Sequence, residues 1–275
     1  MNNTIKYYLS TILISCCLFS KISGQTNEIG VFLGGSLFHG DVGYDDNEYI
    51  LLNSKPVMGF QFKRNFNYHF GVNISIYQGS ISADDARSND LFSLERNLHF
   101  KSQITELGFI TEFNFRPYLS RDPEYNHTPF IFAGISKFFF NPTQQLNDNW
   151  YSLRPLGTEG QDTNLKRSTE LYKLTGTSIP FGIGYKFNIY DFLTISVNMG
   201  WRITFTDYID DVSTKYVDQN TLSELAIDLA ADTDAVFVDG FQRGDPYTND
   251  KYGFLGIAFI YSIKDPSQGC DIITY

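Results

Sequence analysis

The sequence predicts an all-β protein: an eight-stranded antiparallel transmembrane β-barrel with long extracellular loops. Two observations predict this fold. Eight segments alternate apolar with polar residues, and the connections between them alternate between long and short. The 275 residues are also rich in aromatic side chains and glycine. This composition favours a β-rich chain with a broad apolar surface over a helical or disordered chain.

The segment 192–206 carries the clearest strand pattern. Alternate side chains from Leu193 to Phe205 are apolar, and those between them are polar or glycine. Such alternation indicates a strand with one apolar and one polar face. The pattern is longer than the roughly five or six residues that are usual in globular strands. It also covers the roughly 9–11 residues that a tilted transmembrane strand needs.

Seven further segments show the same pattern less clearly. We expect strands over 29–37, 57–66, 70–77, 99–116, 130–140, 180–187 and 252–263. Segment 130–140 is apolar on both faces, so its orientation stays open. The resulting total is even, as bacterial outer-membrane barrels require.

The predicted connections fall into two kinds. The long ones cover 38–56, 78–98, 141–179 and 207–251, whereas tight turns lie near 65–68 and 188–191 and a medium one covers 117–129. Long extracellular loops that alternate with short periplasmic turns are typical of a barrel with both termini in the periplasm. The alternative is a soluble sandwich or barrel, which would bury its apolar face and have shorter strands.

The polar faces of the predicted strands place four charged residues in the lumen, namely Glu106, Glu112, Lys186 and Arg202. A barrel of eight strands is filled by side chains, so we expect no conducting pore. An isolated buried charge is costly, so these side chains should pair with one another.

The N-terminus has the layout of a secretory signal peptide over residues 1–24. Lys6 precedes a short apolar run and then small or polar residues, with cleavage expected near Gly24. The run is too short for a membrane helix, which needs about 20 residues. Lipidation at Cys16 is the alternative. The barrel would then span 25–265, and 266–275 would form a periplasmic tail.

Cleavage would leave Cys270 as the last cysteine of the exported chain, so no internal disulfide could form. Cys270 is then either an inert tail residue or half of an intermolecular disulfide. The chain is acidic, with 31 Asp and Glu against 21 Lys and Arg. This balance argues against a nucleic-acid partner. No motif in the sequence indicates a cofactor.

Several aspartates follow the strand at 192–206, namely Asp207, Asp210, Asp211 and Asp218. They form either a Ca²⁺ site, because hard cations prefer carboxylate oxygens, or a turn in which Asp and Ser side chains bind backbone amides. Their spacing matches no known calcium loop, which favours the turn. The acidic segment 222–250 follows, with a short helix expected over 222–230. It is either a solvated loop or a surface that contacts a partner or lipopolysaccharide.

The sequence predicts no enzymatic activity. The four histidines, His39, His69, His99 and His127, show neither triad nor metal-site spacing. His69 and Ser75 lie too far apart along one predicted strand to share a proton. A lipid-modifying outer-membrane enzyme remains the alternative from a different class.

Ordered motifs along the chain suggest a family. The strongest runs from Gly200-Trp201-Arg202 into 205–213, and weaker ones lie at 28–42, 139–142, 155–161 and 179–184. On these motifs the chain resembles the PorG-like outer-membrane proteins of Bacteroidetes, a family associated with type IX secretion and gliding motility. The family's most specific motif includes Asp207, Tyr208, Asp210, Asp211 and Ser213.

The resemblance implies an integral protein among outer-membrane lipids that anchors or positions a secretion assembly. Its partners would be a periplasmic lipoprotein and ring components, and the motif residues would have a structural or partner-contacting role. A stand-alone surface barrel, serving adhesion or envelope stability, is the alternative. The acidic segment 222–250 matches no known role in the family.

Overall fold

The computed structural model describes residues 26–43, 53–120, 122–162, 170–231 and 238–263. The predicted signal peptide with its cleavage near Gly24, the lipidation alternative at Cys16, the predicted tail and Cys270 all lie outside these ranges. Within the described ranges, no helix is both long and apolar enough to span a membrane.

Eight long strands form one closed antiparallel sheet, which confirms the predicted fold class. The strands are β1 (Thr26–His39), β2 (Pro56–Asn65), β3 (Phe70–Asp84), β4 (His99–Asn114), β5 (His127–Leu146), β7 (Thr175–Tyr190), β8 (Leu193–Thr204) and β9 (Lys251–Ile263). Each long strand pairs with its neighbours along the chain, and β9 pairs with β1 to close the barrel. The short strand β6 (Asn149–Ser152) pairs only with the end of β5.

The predicted strands overlap the observed ones, but three of their ends were wrong by five residues or more. Strand β3 continues to Asp84, β5 continues to Leu146 and β7 begins at Thr175, so the loops expected over 78–98 and 141–179 are shorter than predicted. The extension of β3 alternates with reversed polarity, since Ile81 and Ala83 are buried inside, and the extension of β5 is mostly polar, so neither continues the pattern of outward apolar side chains. The helix expected over 222–230 is present as α2 (Glu224–Ala230), which Ser223 caps.

The strand register fixes the width of the barrel. The offset is found by starting at Lys137 on β5 and moving, strand by strand, to the paired residue on the next strand. This path around the barrel returns to β5 at His127, ten residues before Lys137. This offset and the strand number together set a tilt of about 40° and a lumen that side chains can fill.

The structure settles the orientation of β5, which the sequence left open. Phe130 and Phe138 are buried in the lumen, whereas Ile131 and Ile135 are exposed on the outside. The inward rings fit because the facing strands carry glycine there: the ring of Phe132 would collide with a Cβ atom at Gly182 or Gly200.

The two ends of the barrel differ. At the turn end, the connections are 66–69, 115–126 and 191–192. At the other end, the described parts of 40–55, 85–98, 147–174 and 205–250 fold together into a structure that we call the cap. It includes helix α1 (Leu91–Arg96) and α2. The cap has buried apolar residues of its own, namely Val42, Leu98, Leu153, Ile209, Val212 and Leu229.

Candidate functional site

The part of the lumen nearer the turn end holds a network of four charged residues. Lys63 lies 3.0 Å from Glu28 and 3.2 Å from Glu112, and Lys186 lies 2.9 Å from Glu112. All four side chains are almost fully buried. The structure therefore brings together Glu112 and Lys186, which the alternation had placed in the lumen. It adds Glu28 and Lys63, which we missed although the same alternation turns Lys63 inward.

The part of the lumen nearer the cap holds a second, separate group of charged and aromatic residues. Arg202 donates to Glu106, with 3.0 Å between Nε and Oε2 and 3.2 Å between Nη2 and Oε1. The hydroxyl of Tyr252 donates to the same carboxylate at 2.6 Å. The ring of Phe254 lies 4.0 Å from the guanidinium carbon, which places the cation over an aromatic face.

Little space separates the two groups. The cavity between them has a volume of only about 30 Å³ and is lined in part by Gln61, Asn73 and Tyr77. Ion pairs lie on both sides of this small void, so the described part of the barrel offers no passage for a solute.

A plug from the connection 115–126 closes the turn end of the lumen. The hydroxyl of Tyr118 lies 2.7 Å from both Asn188 Oδ1 and Thr194 Oγ1, and its ring lies 4.7 Å from Lys186 Nζ. Burial raises the pKa of Tyr118, so its hydroxyl keeps its proton and can donate. The sequence predicted only a medium-length turn here, because an inward-folded loop has no alternation to reveal it.

The outside of the barrel is apolar. Strand β7 shows the pattern, with Ile179, Phe181, Ile183, Tyr185 and Phe187 all exposed in one outward row. Eight residues of strand at about 3.3 Å each span about 26 Å along the strand, or about 20 Å of height at a tilt of about 40°. Equivalent rows on the other strands make this an apolar belt around the barrel.

Aromatic side chains crowd the belt at the turn end. The exposed ones are Phe66, Phe70, Phe115, Tyr190, Phe192 and Tyr261. Several of the rings contact one another: the centroid of Phe192 lies 5.8 Å from that of Tyr190 and 5.9 Å from that of Tyr261.

The second half of the strongest sequence motif, residues 205–213, lies in the cap. Arg243, which is buried, donates to Glu159 at 3.0 Å, and Glu159 also accepts the backbone amides of Ser213 and Thr214 at 2.9 and 3.0 Å. Burial raises the pKa of Asp211 to about 6, although the positive charge of Arg243 lowers it. The motif thus helps to hold the cap together. These contacts could not be predicted from the sequence, because their partners lie far apart along the chain.

Other contacts complete the motif's surroundings. Asp211 accepts hydrogen bonds from the hydroxyls of Thr158 and Tyr172, and the ring of Tyr208 stacks on Tyr172 at 4.6 Å. The segment 222–250 also joins the cap in its described part, since Ala226 and Arg243 are buried. It is therefore not the simple solvated loop that its charge suggested.

The four aspartates that follow β8 in the sequence do not form a single group, because Asp218 does not join the others. Asp218 is separate from the motif and accepts the backbone amide of Asn220, and Asp210 accepts the backbone amide of Val212. Both are turn-stabilising contacts of the kind that Asp makes to an amide two residues ahead. Within the described ranges, no group of three His, Cys, Asp or Glu residues is placed to hold a metal ion.

Two histidines lie at the turn end. Nδ1 of His69 is 2.8 Å from the carbonyl oxygen of Asn114, and the ring of His127 contacts Arg116 and Asn126. These partners include neither a nucleophile nor a carboxylate. Ser75, the serine closest in sequence to His69 on the same strand, is buried in the lumen.

These features define a class of protein: a closed eight-stranded β-barrel with an apolar exterior, a sealed charged lumen and a folded cap. The chain belongs to the family described as "Domain of unknown function (DUF6089)", whose model matches residues 6–270. That description assigns no activity, so kinship with the PorG-like proteins remains a proposal.

Solved barrels resemble the chain only distantly. Ail of Yersinia pestis is 12% identical, with 88% of this chain and 100% of that chain covered and a TM-score of 0.40. Neisserial surface protein A is 7% identical, with coverage of 88% and 100% and a TM-score of 0.40. The N-terminal barrel of Pseudomonas aeruginosa OprF is 11% identical, with coverage of 87% and 100% and a TM-score of 0.36. Nothing about function follows from such low scores. No curated protein matches the chain.

Proposed function

We propose that the chain is an integral β-barrel of a bacterial outer membrane. The observation that carries this proposal is the polarity of the barrel, which is charged inside and apolar outside. Phe60, Ile135 and Ile183 are each 60% exposed or more. In water each Å² of such apolar surface costs about 25 cal/mol, whereas in a bilayer it faces hydrocarbon chains. A soluble barrel would have the opposite polarity.

The same proposal orients the molecule. The cap, built from the longer connections, would face the outside of the cell, and the turn end would face the periplasm. The crowded aromatic side chains then lie at the periplasmic interface of the membrane, where aromatic belts are found.

The working surfaces of this protein are its two ends, since ion pairs and the plug seal the lumen. We propose a non-enzymatic role in which the barrel anchors or positions a type IX secretion or gliding assembly through protein contacts. The resemblance of the motif at 200–213 to PorG-like proteins supports this role. A periplasmic lipoprotein and ring components would approach the turn end, where Arg116, Pro117 and Glu124 of the plug connection are exposed.

Cys270 offers a further contact to test. It lies outside the described residues, and we propose it as one half of an intermolecular disulfide with a periplasmic partner. An oxidising compartment would permit such a bond.

Fractionation and cross-linking in intact cells test these proposals separately. The protein should stay in the membrane after a high-salt wash, and recovery in the soluble periplasm would sink the barrel proposal. Cross-linking should capture periplasmic lipoproteins, and the Cys270→Ser variant should lose only the disulfide-linked part of the product. Purification without partners, together with normal secretion in a deletion strain, would remove the secretion role.

A stand-alone surface barrel is the second candidate. The cap favours it, because Leu91 and Tyr247 are 76% and 93% exposed on a folded surface that a ligand outside the cell could reach. For this candidate, deletion should impair adhesion or envelope integrity while secretion stays normal. Cells with reduced secretion and unchanged adhesion would instead favour the secretion role.

A further inference from the structure

Four aspartates meet where three segments of the cap join. Asp41 follows β1, Asp207 and Asp210 follow β8, and Asp250 immediately precedes β9. We call them the aspartate cluster. Asp210 and Asp250 are almost completely buried, and Asp207 is only 8% exposed.

The cluster ties the three segments to one another. In each tie, a carboxylate oxygen on one segment accepts a backbone amide from another. The bonds run from Val42 to Asp210 at 3.0 Å, from Asp245 to Asp41 at 2.9 Å and from Ile209 to Asp250 at 2.8 Å. Any force that pushes the four carboxylates apart therefore acts directly on the joints of the cap.

The neighbouring cations are engaged elsewhere. Arg96 pairs with Asp85 at 2.7 Å, and Arg243 pairs with Glu159 at 3.0 Å. Among the described residues, no ion pair reaches any member of the cluster. The positive charge of Arg96 still lowers the pKa of Asp41 and of Asp210.

Other acidic groups near the cluster add negative charge. The charge of Glu159 raises the pKa of both Asp41 and Asp207. The charge of Asp245 also raises the pKa of Asp41, although the backbone amide of Asp245 lowers it by more. Asp211 lies beyond them and is held by Arg243. The cluster thus faces two engaged arginines and a surplus of carboxylates.

One carboxylate oxygen of the cluster is buried with nothing to bind: Oδ1 of Asp250 accepts no hydrogen bond and lies beside the backbone of Gly40, next to Asp41. The carboxylate of Asp207 is satisfied only in part, since Ser213 is the one side chain that bonds to it among the described residues. An ionised oxygen in this position has lost its hydration without compensation, which is costly. A proton on the carboxyl removes that cost.

The pKa values agree with this arrangement. Burial raises the pKa of Asp207 to about 8; Ser213 lowers it by less, and Asp41 and Asp210 raise it further. Burial and the charge of Asp41 raise the pKa of Asp210 to about 7. Burial also places the pKa of Asp41 at about 6 and that of Asp250 well above its ordinary range.

We propose that the aspartate cluster is a proton-operated clasp, which holds the three cap segments together when it carries protons and loosens them when it is fully ionised. In an opened cap each carboxyl returns to a pKa of about 4. The closed cap therefore binds more protons between about pH 5 and pH 8, and it gains stability as the pH falls through this range.

Limited proteolysis of the full-length protein in lipid vesicles tests the clasp. We would measure cleavage of the cap by proteinase K with a chelator present, at about pH 5.5 and about pH 8.5, and normalise it to an unstructured peptide at each pH. Cleavage should be at least tenfold faster at the higher pH, because each proton that only the closed cap binds changes the opening equilibrium by up to tenfold per pH unit. Equal normalised rates at the two pH values would overturn the proposal.

Matched variants identify the groups that respond. Asp207→Asn mimics the protonated carboxyl and breaks none of the ties, so it should slow cleavage at the higher pH and flatten the pH dependence. Asp207→Asn combined with Asp250→Asn should flatten it further. Asp218→Asn, a change at an exposed turn residue away from the cluster, should keep the wild-type behaviour. A pH dependence in Asp207→Asn equal to that in Asp218→Asn would exclude the clasp.

Two controls keep the result interpretable. Heat-modifiable migration on gels shows whether each barrel has folded, and Asp207→Asn alone decides the outcome if the double variant does not fold. Replacing the chelator with calcium chloride tests whether a calcium ion, and not protons, occupies the aspartate cluster. Protection at the higher pH by calcium in the wild type, but not in Asp207→Asn, would mean that a metal ion and not protons closes the cap.

Discussion

Arg202 and Glu106 face each other across the lumen, with 3.0 Å between Nε of the guanidinium and Oε2 of the carboxylate. Both side chains are buried, and Tyr252 donates a further hydrogen bond to the carboxylate. The two residues lie on β4 and β8, which are not neighbours in the sheet. Among the described residues, each of the two charges therefore has the other as its one full counter-charge.

The loss of one partner should cost more than the loss of both. Glu106→Gln leaves Arg202 as an uncompensated buried charge, and we expect a loss of about 3–5 kcal/mol in the free energy of unfolding. Adding Arg202→Met should recover most of this loss. Urea unfolding in lipid vesicles, followed by tryptophan fluorescence, measures both. If the losses of the two single variants simply add in the double variant, the residues are not coupled.

The apolar belt predicts a cost that depends on depth. Ile183 lies at the middle of the outward row of β7 and is 64% exposed. Ile183→Arg should destabilise the barrel in a bilayer by about 2–4 kcal/mol, as for a cation near the midplane. Gln103→Arg, at an exposed outward position of β4 beyond the belt, should change stability by no more than about 0.5 kcal/mol. Equal effects at both sites would argue against insertion in a membrane.

The plug predicts a role for a single hydroxyl group. Tyr118→Phe keeps the ring over Lys186 but removes the group that contacts Asn188 and Thr194. Asn188 and Thr194 still bond to each other at 2.8 Å, so the variant loses one hydrogen-bonding group without stranding its partners, and the cost should be about 0.5–1.5 kcal/mol. Tyr125→Phe in the same connection is the control and should have little effect on urea unfolding. A similar loss in both variants would show that the connection tolerates no change, whatever its hydrogen bonds.

Glycine and phenylalanine also fit together across the lumen. The three atoms nearest to a Cβ atom at Gly176 all belong to the ring of Phe138, the closest at 2.5 Å, whereas a Cβ atom at Gly182 would also meet the backbone of Met199 and Gly200. Gly176→Ala should cost about 1–3 kcal/mol through overpacking. Adding Phe138→Leu should relieve the overpacking, so the double variant should be more stable than the two separate losses predict.

Gly182→Ala is the matched contrast. Its clash involves the backbone, so truncation of Phe132 should not relieve it. Urea unfolding of the four variants and their combinations measures both cases. Relief at both glycines, or at neither, would contradict the distinction between side-chain and backbone contacts.

The sequence by itself determined the strands and their polarity. Side chains alternate sides along any strand, so the row from Leu193 to Phe205 could be assigned to one face without knowledge of a partner. The same local rule turned Glu106, Glu112, Lys186 and Arg202 inward. The length of the alternating segments and the order of long and short connections then indicated a barrel with distinct ends.

Only the tertiary structure decided which inward residues meet. The pairing of Glu106 with Arg202 and of Glu112 with Lys186 depends on the ten-residue offset around the closed sheet, which is a property of all eight strands together. The orientation of β5 depends on the glycines that face it. The cap and its aspartate cluster depend on segments more than 160 residues apart, as in the bond from Val42 to Asp210. No periodic pattern encodes such contacts, because they arise only when the chain has closed on itself.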